Sequence, residues 1–186
     1  MAENPKDKIL NGVNVTAVEK VVSGIKEKND IAKFKFHLRN TWVNGGFNQS
    51  TVDTFYGANQ ENRHLKTFTL DADEPPALAG GDRGANPVEH LLHALAGCLT
   101  STLIYHAAIR DIKIEELTSE LEGDLDLRGF LGLSNEVRRG YQNIRVKFKV
   151  KTEEKNIERL KALSKLSPVF DVTANGTNVD VQIERK

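Results

Sequence analysis

From Val13 to Leu70 the hydrophobic positions of this chain recur with a period of two. Phe34, Phe36, Leu38 and Trp42 alternate with mostly polar residues, and Val52, Thr54 and Tyr56 do so more weakly. Between the two runs lies VNGGFN, so the pattern predicts a hairpin or meander. The stretch DADEPPALAGGDRGANP is rich in proline and glycine and poor in large apolar side chains, which predicts a loop. At Asn86 the pattern changes. NPVEHLLHALAGCLTSTLIYH is apolar nearly all round. Asn86 is a good N-cap, Pro87 suits the first helical position, and Glu89 completes a capping box. The predicted helix runs to about Arg110 and is roughly 35 Å long. A helix of this kind needs other elements around it.

Beyond it, Leu117, Leu121, Leu125 and Leu127 are predicted to share one face of a strand, and Ile144, Val146, Phe148 and Val150 one face of another. RGFLGLSNEVRRG breaks the alternation between them and reads as an excursion. Thr152, Glu153 and Glu154 open a second helix with Ile157, Leu160, Leu163 and Leu166 at helical spacing. Ser167–Pro168 ends it and is placed to cap a further short helix. Val179, Val181 and Ile183 predict a last strand. The order of strands, long helix, strands, helix, strand is α+β. No internal repeat or linker interrupts it, so a single domain over residues 1–186 is expected. Its start is loose to about Pro5, with a tail to about residue 12.

Composition narrows the function classes. Lys plus Arg number 26 and Asp plus Glu 26, so the formal net charge is zero. That balance gives no electrostatic reason to expect nucleic acid or an anionic membrane as partner. A single cysteine excludes an intramolecular disulfide and fits a reducing compartment. MAENPKDKIL lacks the basic start, apolar run and cleavage site of a secretory signal. A cytoplasmic location is expected. The segment from Val88 to Ile109 is about long enough to span a bilayer. Glu89, His90, His93, Ser101, Thr102 and His106 would each be costly in lipid, so it reads as a buried core helix.

The one thiol, Cys98, lies mid-helix, far from the N-terminal dipole. At 100° per residue it shares a side with Leu91, Ala94, Leu95, Ser101, Thr102 and Tyr105. Glu89 and His93 face away. His90 and His106 are each about 80° off and two turns distant along the axis. Read from its helix alone, Cys98 is a small buried hydrophobe. His90 and His93 form HxxH without a glutamate or a visible third ligand, so no metal is expected. GGDRG has the composition of an anion nest or of an ordinary glycine-rich turn.

GANPVEHLLHALAGC, the strand–strand–helix after it, and SPV at Ser167–Val169 resemble the OsmC/Ohr family from about Trp42 onward. The likeness is greatest to a one-cysteine subgroup with DRG-NPVE-LLHALA-C and LEGDLDLRGFLGLS-EVR-GYQNIRV. The resemblance implies an OsmC-like fold of antiparallel sheets around a long central helix, in an intertwined homodimer, with no cofactor. It also implies reduction of organic hydroperoxides by four groups. Cys98 matches the peroxidatic cysteine. Ser167 stands where a resolving cysteine precedes proline. Val88 stands where a glutamate follows the Asn-Pro pair, since Glu89 is one residue on and faces the other way. The hairpin offers Asn48 and Gln49 where an arginine is expected, which leaves Arg83 or Arg39 as the thiolate-stabilising cation. Two readings follow. One is a hydroperoxide reductase with a single cysteine and an external thiol reductant. The other is a redox-inert relative that binds a small apolar ligand.

Overall fold

The structure, a computed structural model, describes residues 7–185. The chain divides into two compact units, residues 1–91 and 92–186. The tail expected to about Pro5 lies outside the described residues.

In the first unit, β1 (Ile9–Leu10) pairs with β2 (Val13–Asn14) and leads into α1 (Val15–Glu27). This helix corrects the period-two reading of the region. Val15, Val18, Val22 and Ile25 recur at helical spacing, and the Asn14 side chain accepts a hydrogen bond from Ala17 N at 2.9 Å. A satisfied N-cap and an apolar stripe outweigh the strand preference of four valines. After a single 3₁₀ turn come β3 (Lys35–Phe36), β4 (Arg39–Asn44), β5 (Phe47–Gly57) and β6 (Gln60–Ala72), all antiparallel. β5 is central, with β3 and β4 on one side and β6 on the other. The expected hairpin turn lies at Gly45, whose φ of 58° favours glycine.

One face of the sheet carries a row of large apolar and aromatic side chains, which Asn40, Asn48 and Ser50 interrupt. Its register places Trp42, Leu70 and Phe68 on one side, through the pairs Trp42↔Asn48, Ser50↔Leu70 and Val52↔Phe68. A bulge follows, and rings continue the face: His64 lies 5.4 Å from Phe68 and 5.1 Å from Phe55, and Phe36 lies 5.8 Å from Phe55. Phe34 stacks at the end of this row. Phe36 is 73% exposed and Trp42 70%.

α2 (Pro87–Ala108) starts as the sequence predicts. Asn86 Oδ1 accepts from Glu89 N at 2.8 Å, and Glu89 Oε2 accepts from Asn86 N at 2.9 Å. This is a complete capping box.

In the second unit, β7 (Glu116–Asp124) and β8 (Asn143–Lys151) pair along their full length. Leu117, Leu121, Val146, Phe148 and Val150 share the inner face, and Glu120–Lys149 and Arg145–Asp124 ion pairs line the outer one. Leu125 and Leu127 do not extend that inner face. The strand ends at Asp124, and Leu127 opens α3 (Leu127–Phe130), which is capped by Asp126. α4 (Ile157–Ser164) and α5 (Pro168–Asn175) follow. Leu103 and Ala107 of α2 form the core with Ile112, Ile114, Leu160 and Leu163. The last strand expected at Val179–Ile183 is absent: residues 177–185 have no regular structure, and Val179, Val181 and Ile183 are exposed. Alternation supplies two faces, but a strand also needs a ladder partner, and no described strand pairs with this segment.

Candidate functional site

Cys98 and Ser167 meet. α4 ends at Ser164, and Pro168, which has no N–H to leave unpaired, takes the first position of α5. Ser167 is therefore extended, and its Oγ accepts from Phe170 N at 3.2 Å. The hydroxyl hydrogen is left to donate, and Cys98 Sγ lies 3.1 Å away. Ser167 is fully buried, while Cys98 is partly exposed. The N-cap thus fixes the hydroxyl, and the hydroxyl fixes on the thiol.

The same unit holds an apolar cavity of about 460 Å³ lined by Leu99, Leu103, Val146, Phe148, Ile157 and Phe170 among others; neither Cys98 nor Ser167 lines it. Leu99 follows Cys98 in the chain, and Phe170 carries the N–H held by Ser167. Lys161 and Ser164 supply its polar edge.

The other candidate residues have their own contacts. Arg39 donates to Asp53 at 2.7 Å, a contact that holds the Asp53 carboxyl below its usual range. Arg83 Nε donates to Asp73 at 3.0 Å, and its guanidinium lies over the Phe47 ring. Asn48 bridges Gly46 O and Asn40, and Gln49 donates to Asp71. Val88 is half-buried in the first turn of α2. His90 meets the Asp71 carbonyl. The Nδ1 of His106 accepts from Arg110 at 2.9 Å, and burial together with that guanidinium lowers its pKa. Among the described residues, no three His, Cys, Asp or Glu side chains come together as a metal cluster.

The GGDRG turn does hold an anion, and that anion is the chain's own Asp73. This carboxylate is 1% exposed and accepts from Glu74 N, Arg83 N and Arg83 Nε. Burial alone would raise its pKa, but these donors and the Gly81 backbone N–H outweigh burial and lower it. The sequence gives no sign of this, because one acid among several in DADEPP is not marked for burial. A carboxyl with a lowered folded pKa adds stability above its ordinary value near 3.8, and that stability is lost as pH falls through the folded value. Asp73→Asn should therefore lower the urea midpoint most at pH 7, and the gap to wild type should narrow toward pH 3. Paired urea titrations across that range check this. A gap independent of pH would assign the loss to packing rather than charge.

The second unit is thus a strand pair, a long helix and a capped short helix that together present one thiol to a buried hydroxyl. Residues 80–182 match the sequence profile of the family described as OsmC-like protein, and the chain belongs to that family. Similar solved structures include an OsmC-like protein from Mycoplasma pneumoniae, 18% identical, covering 76% of this chain and 88% of that one at a TM-score of 0.57. An OsmC-like protein of unknown function from Vibrio cholerae is 12% identical, with 73% and 90% covered and a TM-score of 0.52. An organic hydroperoxide resistance protein OsmC from Legionella pneumophila is 16% identical, with 76% and 91% covered and a TM-score of 0.50. At these identities the likeness establishes the fold, which is OsmC-like. No curated protein matches the chain.

Proposed function

We propose that this protein is a cytoplasmic, single-cysteine reductase of organic hydroperoxides that draws on an external thiol. The observation that carries the reading is the 3.1 Å contact between Ser167 Oγ and Cys98 Sγ. It supports the alignment of Ser167 with a resolving position and gives the sulfur a fixed donor. In the reaction, the Cys98 thiolate attacks the terminal oxygen of a hydroperoxide. The S–O bond forms, the O–O bond breaks, and the alkoxide takes a proton and leaves as an alcohol. The sulfur is now a sulfenic acid. With serine at 167, no internal thiol can close a disulfide. An external thiol attacks the sulfenic sulfur and water leaves; a second external thiol attacks the mixed disulfide, so that Cys98 returns to the thiol and the two external thiols leave as a disulfide. The apolar cavity suits the organic part of such a substrate. It equally supports a second reading, in which the protein binds a small apolar ligand without redox chemistry.

Intact-mass spectrometry after cumene hydroperoxide separates the two. The expected result is slow addition of one oxygen to Cys98, because Val88 offers no carboxylate and the turn of the hairpin no arginine. A second oxygen should follow unless a dithiol is present, and Cys98→Ser should abolish both. A Cys98 that stays unoxidised in the folded protein would leave the ligand-binding reading.

We further propose a homodimer. The first unit leaves the Phe34–Phe36–Trp42 face of its sheet open, and α2 leaves Leu91 and Tyr105 exposed. Both are apolar surfaces of a kind that stable monomers keep small.

A further inference from the structure

The excursion between β7 and β8, residues 125–142, is built in an unusual sense. Its framework is polar and closed, and its large apolar side chains point out. Gln142 N donates to Asp124 O at 2.8 Å and shuts the base. Asp126 caps α3 and grips the Arg128 guanidinium with both oxygens. Leu131 N and Leu133 N donate to Leu127 O and Arg128 O. Gly129 is buried against the Val137 and Arg138 backbone, where any Cβ would overlap a carbonyl. The loop is therefore ordered by its own contacts. Yet Phe130, Leu131 and Leu133 are 69%, 59% and 73% exposed. Three such side chains within four positions of an ordered loop leave apolar surface open to a partner.

Ser134, which follows Leu133 in the chain, is the first of the residues that line an open concavity of about 510 Å³, with Asn135, Val137, Arg138, Arg139 and Gly140. Arg39, Arg83, Arg128 and Arg145 each hold a carboxylate. Among the described residues, Arg138 and Arg139 hold none. Glu136, the one acid between them and Leu133, makes no ion pair with either, and its backbone N–H donates to Ser134 Oγ at 3.2 Å. Two guanidinium forks, a hydroxyl and an amide around one hollow form a donor set for an oxyanion with several acceptor oxygens and more than one negative charge.

We propose that this excursion binds a small amphiphilic phosphate monoester, with the phosphate between Arg138 and Arg139 and the apolar chain along Leu131 and Leu133. The zero net charge of the protein gives no general pull to an anionic membrane, so the site is assigned to a soluble amphiphile. The test is titration calorimetry with octyl phosphate below its micelle concentration, beside inorganic phosphate and 1-octanol. Octyl phosphate should bind about tenfold or more tightly than either half. R138Q/R139Q and L131S/L133S should each weaken it about tenfold or more, with unchanged thermal melts, since all four side chains are exposed. Several results overturn the proposal. Octanol could match octyl phosphate, R138Q/R139Q could bind normally, or only phosphatidylglycerol vesicles could bind. L131S/L133S could also change the oligomeric state while octyl phosphate binding stays intact, which would make the patch a subunit contact.

Discussion

A Ser167→Cys variant should form a disulfide to Cys98 under mild peroxide. The hydroxyl oxygen it replaces lies 3.1 Å from the sulfur, and both residues are held by helices rather than loops. A disulfide needs about 2 Å between sulfurs, so closure asks for roughly an ångström of side-chain movement. Sixty-nine positions separate the two residues, and closing so long a loop stabilises by about 4 kcal/mol in the chain-entropy account. Loss of the serine N-cap offsets about 1 kcal/mol of this. The net of about 3 kcal/mol is roughly 6–12 °C in Tm for a chain of this size. Non-reducing electrophoresis and calorimetry before and after a reductant give both readouts. Diamide distinguishes the causes of failure. A crosslink with diamide but not with peroxide would show that the geometry holds while Cys98 is not peroxidatic. No crosslink with either, in a folded variant, would mean that Ser167 does not stand in a resolving position.

The second large effect concerns assembly. Light scattering at micromolar concentration should return the mass of two chains, and Phe36→Lys should return the mass of one. Phe36 is 73% exposed in the single chain, so a lysine there costs the isolated fold little. In a dimer that covers the Phe34–Trp42 face, the same ammonium would lose its water without gaining a partner. That costs on the order of 4 kcal/mol, or about a thousandfold in dissociation constant. Circular dichroism checks that the variant is folded. A wild-type chain that is monomeric at this concentration sinks the dimer. A Phe36→Lys variant that stays dimeric places the interface on another surface.

What the sequence determined by itself were the features set within a few residues. The capping box at Asn86 and Glu89, the Gly45 turn and the cap at Ser167 all rest on contacts between near neighbours, and each is legible as a pattern. α1 could also have been read so, since Asn14 and the Val15–Val18–Val22–Ile25 spacing are local, but β-branched composition masked them. The tertiary structure decided the rest. Period two in Val179, Val181 and Ile183 cannot supply a neighbouring strand, because a ladder is made between segments. Asp73 was one acid among several until the GGDRG turn folded its N–H groups around it. Cys98 alone on its helix is a core residue by every local measure. Only the fold, which brings α5 and its N-cap to α2, sets a buried hydroxyl against that sulfur.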